Sequence, residues 1–159
     1  MQSKPASSSQ VTLQQLMGPE HANLYGNVHG GVIMKLVDEA AALAAMRHAQ
    51  RPCVTVALDS MMFHSPVHVG QLLSCTAMIT YVGRTSIEVS IIVHAEDVLA
   101  GQITHTNSAY AVYVALDDDG RPQEVPPLLV TTDEERSHWD SGRRRQQDRL
   151  RSSRPVKRD

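Results

Sequence analysis

Residues 30–48, GGVIMKLVDEAAALAAMRH, limit what this chain can fold into more than any other stretch. They are rich in Ala, Leu and Met, which favour helix, and hold no Pro and no Gly after Gly31. Asn27 is placed to cap such a helix. Arg47 and His48 fall in its last turn, where positive charge suits the helix dipole. Between Val32 and Met46 only Lys35, Asp38 and Glu39 are polar. A helix that is apolar on nearly every side is a buried one, so something has to wrap around it.

The flanking residues supply the wrapper. Residues 10–17 (QVTLQQLM) read as a first strand and 53–63 (CVTVALDSMMF) as a second, closed by the His64-Ser65-Pro66 break. Residues 71–82 alternate, with Leu73, Cys75, Ala77, Ile79 and Tyr81 on one face; Gly83-Arg84 is a turn. Residues 85–95 alternate more cleanly, Ile87, Val89, Ile91, Val93 and Ala95 opposing Ser86, Glu88, Ser90 and His94. Residues 103–116 form another long strand, and the turn-rich stretch 117–127 ends the sheet. The order β-α-β-β-β-β predicts an α+β fold: an antiparallel sheet of about five strands wrapped around one long buried helix. One helix cannot cover both faces of such a sheet, so the remaining surface invites self-association. Residues 1–9 are Ser-rich and expected to be disordered, residues 10–132 form one domain, and residues 133–159 form a polar helix with a disordered Arg-rich end.

Composition excludes several functions. Aromatics are 4% of the 159 residues, so Ala, Val, Leu, Ile and Met must fill the core. No apolar run reaches the roughly 18–20 residues that span a bilayer, and MQSKPASSSQ lacks the apolar region of a secretory leader. Cys53 and Cys75 have neither metal nor redox spacing and read as small buried hydrophobes in a reducing, cytoplasmic compartment. Among eight histidines, His64 and His68 are four apart, but Pro66 opposes the helix that would align them, so no metal site is expected. No Gly-x-Ser-x-Gly or phosphate-binding loop is present. From Arg143 onward the chain carries a net charge of +6; the whole is −2, which leaves −8 in the rest. A basic tail without aromatics on an acidic body reads as a solubilising segment, and nucleic acid is not an expected partner.

One stretch carries chemistry. Gly30 and Gly31 open the buried helix, where free backbone N–H groups and the helix dipole favour negative charge and glycine lets a ligand approach the backbone. A thioester carbonyl placed there would be polarised as its oxygen gains charge. Asp38 lies two turns further in, between Met34 and Ala42 at i−4 and i+4. A carboxylate between those neighbours is poorly solvated and a stronger base. The competing reading pairs it with Lys35 at i−3. Asn23, in the preceding loop, reads equally as a turn residue.

The ordered pattern Asn23-x-x-Gly26-x-x-x-Gly30-Gly31-x-x-Met34-x-x-x-Asp38 resembles acyl-CoA thioesterases of the hotdog superfamily, the group of YciA-like and brain-type acyl-CoA hydrolases. Val54-Thr55-Val56, Ser60-Met61-x-Phe63, Pro66, Val69-Gly70 and Val82-Gly83-Arg84-Thr85-Ser86 extend the match over residues 11–127. His29 departs from it, since relatives carry an aromatic there, as does the Arg-rich tail. The resemblance implies a sheet wrapped around a helix and protomers paired into dimers or hexamers. Active sites then lie at the dimer interface. It implies that Asp38 acts on acyl-CoA as general base or nucleophile, that the partner protomer supplies Asn23, and that Thr55 adds a hydroxyl. On this reading Gly31 is expected to polarise the carbonyl and Gly30, Ser60, Gly83, Arg84, Thr85 and Ser86 to hold substrate or CoA, with no cofactor expected beyond the CoA of the substrate. Arg84 suits the anionic CoA, being the only Lys or Arg between Arg51 and Arg121. Two other readings remain: a dehydratase on hydroxyacyl thioesters with His29 beside Asp38, or a non-enzymatic acyl-CoA or nucleic-acid binder.

Overall fold

A computed structural model of the chain describes residues 1–152. Helix α1, Gly30–Ala49, lies across a five-stranded sheet built from β2 (Val11–Leu16), β3 (Cys53–Phe63), β4 (Leu72–Val82), β5 (Ser86–Asp97) and β6 (Gln102–Ala115). The spatial order is β2-β4-β5-β6-β3, and every neighbouring pair is antiparallel. The helix is held between the first two strands in sequence, which become the two edges. This is the hotdog arrangement implied by the resemblance.

Alternation set the inner face. Leu73, Cys75, Ala77 and Ile79 on β4 and Ile87, Val89, Ile91 and Val93 on β5 are buried against Val37, Ala40, Ala41, Ala44 and Ala45 of α1. The alanines let helix and sheet approach closely, and fully burying each larger aliphatic chain contributes about 1.5–3 kcal/mol. Burial pushes the Cys53 and Cys75 thiols up to about 11 and about 12, so both stay protonated.

Four expectations need correction. Tyr81 does not share the face of Ile79: a register shift between them turns it to the outer face, where its ring meets Trp139 with centroids 5.4 Å apart. The helix is not enclosed on all sides, because five strands cover one side only; Met34 and Leu43 remain 43% and 42% exposed. His29, not Asn27, caps α1: its Nδ1 accepts from Gly31 N at 2.9 Å, while Asn27 Oδ1 lies 3.0 Å from His68 Nδ1. Residues 4–9, expected to be disordered, form a short strand β1 (Lys4–Pro5) and a 3-10 turn (Ala6–Ser9). β1 pairs in parallel with β7 (Leu128–Leu129). Composition missed this strap because its anchors lie far off in sequence: Lys4 Nζ donates to the carbonyl of His48 at 2.8 Å, and Ser9 Oγ lies 3.3 Å from His48 Nδ1.

The second helix, α2 (Asp133–Ser152), falls where a polar helix was expected; of the Arg-rich end called disordered, residues 153–159 lie outside the described residues. It packs on the outer face of the sheet over Glu88, which is fully buried. Arg145 grips Glu88 through two hydrogen bonds of 2.7 and 3.1 Å, Arg149 adds one of 2.8 Å, and Thr80 Oγ1 adds another of 2.9 Å. Burial alone would raise the Glu88 carboxyl, but these donors outweigh it and hold the group below its ordinary range. The guanidinium of Arg145 also lies 3.7 Å over the ring of Tyr110. Gly142 permits this approach, since a Cβ there would sit 2.5 Å from Tyr81 Cβ.

Candidate active site

Asp38 stands near the middle of α1, on the side that faces β3 and β6. Thr55 of β3 and Tyr113 of β6 are direct cross-strand partners, so their side chains emerge side by side toward the helix. Thr55 Oγ1 donates to Asp38 Oδ1 at 2.9 Å and Tyr113 Oη donates to the same oxygen at 2.8 Å; Tyr113 Oη also lies 3.0 Å from the Asp38 carbonyl. Among the described residues none donates to Oδ2. The alternative partner, Lys35, instead pairs with Glu39 at 3.4 Å on the exposed stripe of α1. Asp38 is half-buried, Tyr113 is fully buried, and Thr55 is exposed on an edge strand. The carboxylate is therefore not isolated among apolar groups, as its helix neighbours suggested; it is bound by two hydroxyls and opens at the sheet edge. Burial first, and the Asp38 carboxylate second, push the Tyr113 phenol well above its ordinary range, so it remains a donor.

Asn23 and the two glycines lie elsewhere. Asn23 Oδ1 accepts from Tyr25 N at 2.9 Å and Asn27 N at 3.2 Å, the turn role its sequence allowed. It shares a small cavity with Gly30, Ile33, Phe63 and Val67 at the start of α1. From Gly31 to Asp38 a helix rises about 10 Å, too far for the N–H of one and the carboxylate of the other to act on one carbonyl within a single chain. The N–H of Gly31 is moreover not free, because His29 Nδ1 accepts it. A Cβ at Gly31 would press to 3.1 Å on that ring, so glycine makes room for the cap.

A third set gathers on the opposite face of the sheet. Ser60, Thr85 and Ser86 line a cavity of about 900 Å3 with Val56, Val112 and the α2 residues Arg145 and Arg149. Ser60 has φ 49, at a bulge between Asp59 and Met62, and Arg149 binds Asp59 next to it. Gly83 N donates to Ser86 O at 2.8 Å, closing the turn that carries Arg84. Arg84 is 78% exposed and lies 3.5 Å from Glu124. The residues singled out in the sequence thus fall into three groups: Asn23 with Gly30 and Gly31; Asp38 with Thr55; and Ser60 with Thr85 and Ser86, near Gly83 and Arg84.

Sequence reasoning missed Tyr113, Arg145 and Arg149. Tyr113 carried a signal: it stands in the buried alternation Ala109, Ala111, Tyr113, Ala115, where a tyrosine hydroxyl must find a partner. His64 lies with its ring centroid 5.6 Å from that of His105.

Comparison with known proteins places this geometry in a class. The thioesterase superfamily is matched over residues 25–101. The crystal structure of an apo-hexameric acyl-CoA thioesterase superposes with a TM-score of 0.91 at 34% identity, covering 98% of this chain and 100% of that one. An acyl-CoA hydrolase from Staphylococcus aureus, solved with butyryl-CoA and CoA, superposes with a TM-score of 0.83 at 33% identity, covering 94% and 93%. The chain belongs to the thioesterase superfamily. It is also 35% identical over 141 residues to the cytosolic acyl coenzyme A thioester hydrolase of Mus musculus; that match takes in 87% of this chain but 37% of the mouse protein.

Proposed function

We propose that the chain hydrolyses acyl-CoA thioesters to a free acid and CoA, as a homo-oligomer whose sites are each completed by two protomers. The observation that carries this reading is the Asp38 carboxylate, fixed through Oδ1 by Thr55 and Tyr113 and open at the free edge of β3. Asp38 takes a proton from water as the water oxygen attacks the thioester carbonyl carbon; the carbon–sulfur bond then breaks and the CoA sulfur leaves with the electron pair. Gly31 cannot serve the same carbonyl from the same chain, so the partner subunit's Gly31 N–H and Asn23 amide hold the carbonyl and the water. For the Gly31 N–H to serve the carbonyl, the His29 ring that accepts it has to give way to substrate. The CoA portion lies along Gly30 and the outer set of Ser60, Gly83, Arg84, Thr85 and Ser86. No cofactor takes part.

The neighbours support the same reading. Hexamers occur among them, which suits an assembly of dimers here. The Staphylococcus aureus hydrolase has been solved as three single alanine variants, at an asparagine, an aspartate and a threonine. Their spacing along that chain equals that of Asn23, Asp38 and Thr55. No helix among the described residues is long and apolar enough to cross a membrane, and the mouse relative is named as cytosolic, in keeping with a cytoplasmic site of action.

The dehydratase reading finds no acid–base pair within one chain, since His29 lies nine residues before Asp38, about 13 Å along the helix, and its ring faces Gly31. It would need His29 and Asp38 from different protomers, and water release from a hydroxyacyl-CoA without free thiol would favour it. Assayed for thiol release on acyl-CoAs of increasing chain length, the wild-type chain turns over at least one class. Asp38→Asn lowers kcat about a hundred- to ten-thousandfold while remaining folded. Near wild-type turnover by a folded Asp38→Asn contradicts the role given to Asp38, and no thiol release from any acyl-CoA contradicts the hydrolase itself.

A further inference from the structure

We infer that Tyr113 is a positioning residue of the reaction, holding Asp38 by Oδ1 so that Oδ2 is the oxygen that meets water. The inference rests on the hydrolase reading above and adds a residue and an atom to it. Tyr113 lies outside the segment that matches the thioesterase superfamily and outside every motif read from the sequence. Three features set it apart from an ordinary core tyrosine. Its ring is fully buried among alanines, yet its hydroxyl ends 2.8 Å from a carboxylate oxygen. That oxygen already accepts from Thr55 at 2.9 Å, so one oxygen holds two donors and the other none among the described residues. The second contact of the hydroxyl, 3.0 Å to the Asp38 carbonyl, ties the tyrosine to the same residue through its backbone and limits rotation of the side chain.

Two donors on Oδ1 have two consequences. They fix the carboxylate plane, which aims Oδ2 toward the open edge beside Thr55. They also stabilise the ionised form, which proton abstraction requires. The surroundings leave this task to the hydroxyls. Cys53, from β3, lies near Tyr113 and stays a neutral thiol. Lys35 and Glu39 on α1 pair with each other at the surface. From β4 and β5 no described charged side chain pairs with Asp38.

Tyr113→Phe removes one oxygen and keeps the ring. The test is the pH dependence of kcat/KM for acyl-CoA hydrolysis by the full chain. With one donor to the carboxylate lost, the acid limb of the profile moves to higher pH. At the pH optimum kcat falls about ten- to a hundredfold, with KM changed less than about threefold. Should Tyr113→Phe not fold, a fluorinated tyrosine at position 113, a stronger donor of nearly the same shape, moves the acid limb to lower pH instead. A folded Tyr113→Phe whose acid limb and kcat match the wild type, alongside an inactive Asp38→Asn, overturns the role of Tyr113 and leaves the hydrolase reading standing. A wild-type chain that releases no thiol overturns both.

Discussion

Lys35 lies one helical turn before Asp38, yet its ammonium goes to Glu39. Both partners of that pair are on the exposed stripe of α1, where a long, flexible side chain keeps its head in water. Asp38 turns the other way, toward two hydroxyls that the sheet delivers, and hydrogen bonds to an ionised group are about twice as strong as neutral ones. Periodicity along a helix lists the i−3 and i−4 candidates but contains nothing about what a strand brings from the side, so the choice between Lys35 and a site role was not legible. His48, at the far end of the same helix, is legible only in part for the same reason: a cation in the last turn was expected, but the ring is fully buried. Its Nε2 lies 2.8 Å from the Pro126 carbonyl, which can only accept, so the ring carries its proton there. Burial outweighs that bond and holds His48 below the ordinary histidine range, near 6.5. The unfolded chain thus takes up a proton below that pH which the folded chain refuses, and stability falls as pH drops through it. Urea denaturation is expected to show a loss of about 1 kcal/mol for this group between about pH 7.5 and about pH 5.5. The slope should flatten in His48→Gln; an equal slope in both proteins would count against His48 as its source.

At the scale of elements, α2 acts as a clamp on the outer face of the sheet. Its Trp139, Gly142, Arg145 and Arg149 stand on one side of the helix and meet Tyr81, Glu88 and Tyr110. Removing one partner of a buried pair strands the other, at about 3–5 kcal/mol. Arg145→Ala should therefore lower the unfolding free energy by about 3 kcal/mol, the low end, because Arg149 and Thr80 still reach Glu88. A loss below about 0.5 kcal/mol by urea denaturation would show that the clamp carries no stability. The main elements could be read from the sequence because each has its own period: α1 from its Ala and Leu content, β4 and β5 from alternation. The alternation placed Glu88 on the outer face but gave no sign that this face is covered there. What covers it is a helix so rich in arginine that its one packing face does not stand out from the charge around it. The bulge after Ile79 was equally hidden, since a one-residue slip leaves no mark in the composition yet turns Tyr81 to the other face.

For the whole molecule, a single protomer is visibly incomplete. The edge of β3 is unpaired, Val56, Met62 and Phe63 are exposed beside it, and Leu24 and Tyr25 stand out at 101% and 89% exposure in the loop that carries Asn23. The helix start with Asn23 and Gly31 and the helix middle with Asp38, Thr55 and Tyr113 are two halves that one chain keeps about 10 Å apart. In the proposed two-fold pairing the halves of opposite protomers come together and the apolar edge is covered in the same step. The most direct measurement is complementation. Asn23→Ala and Asp38→Ala chains, each of low activity alone, are co-expressed so that they assemble at random, and thiol release from acyl-CoA is assayed. In a mixed dimer one site receives Asn23 from one chain and Asp38 from the other, so the mixture should recover about a quarter of the wild-type rate. A mixture no more active than the average of the two variants would contradict a site shared between protomers.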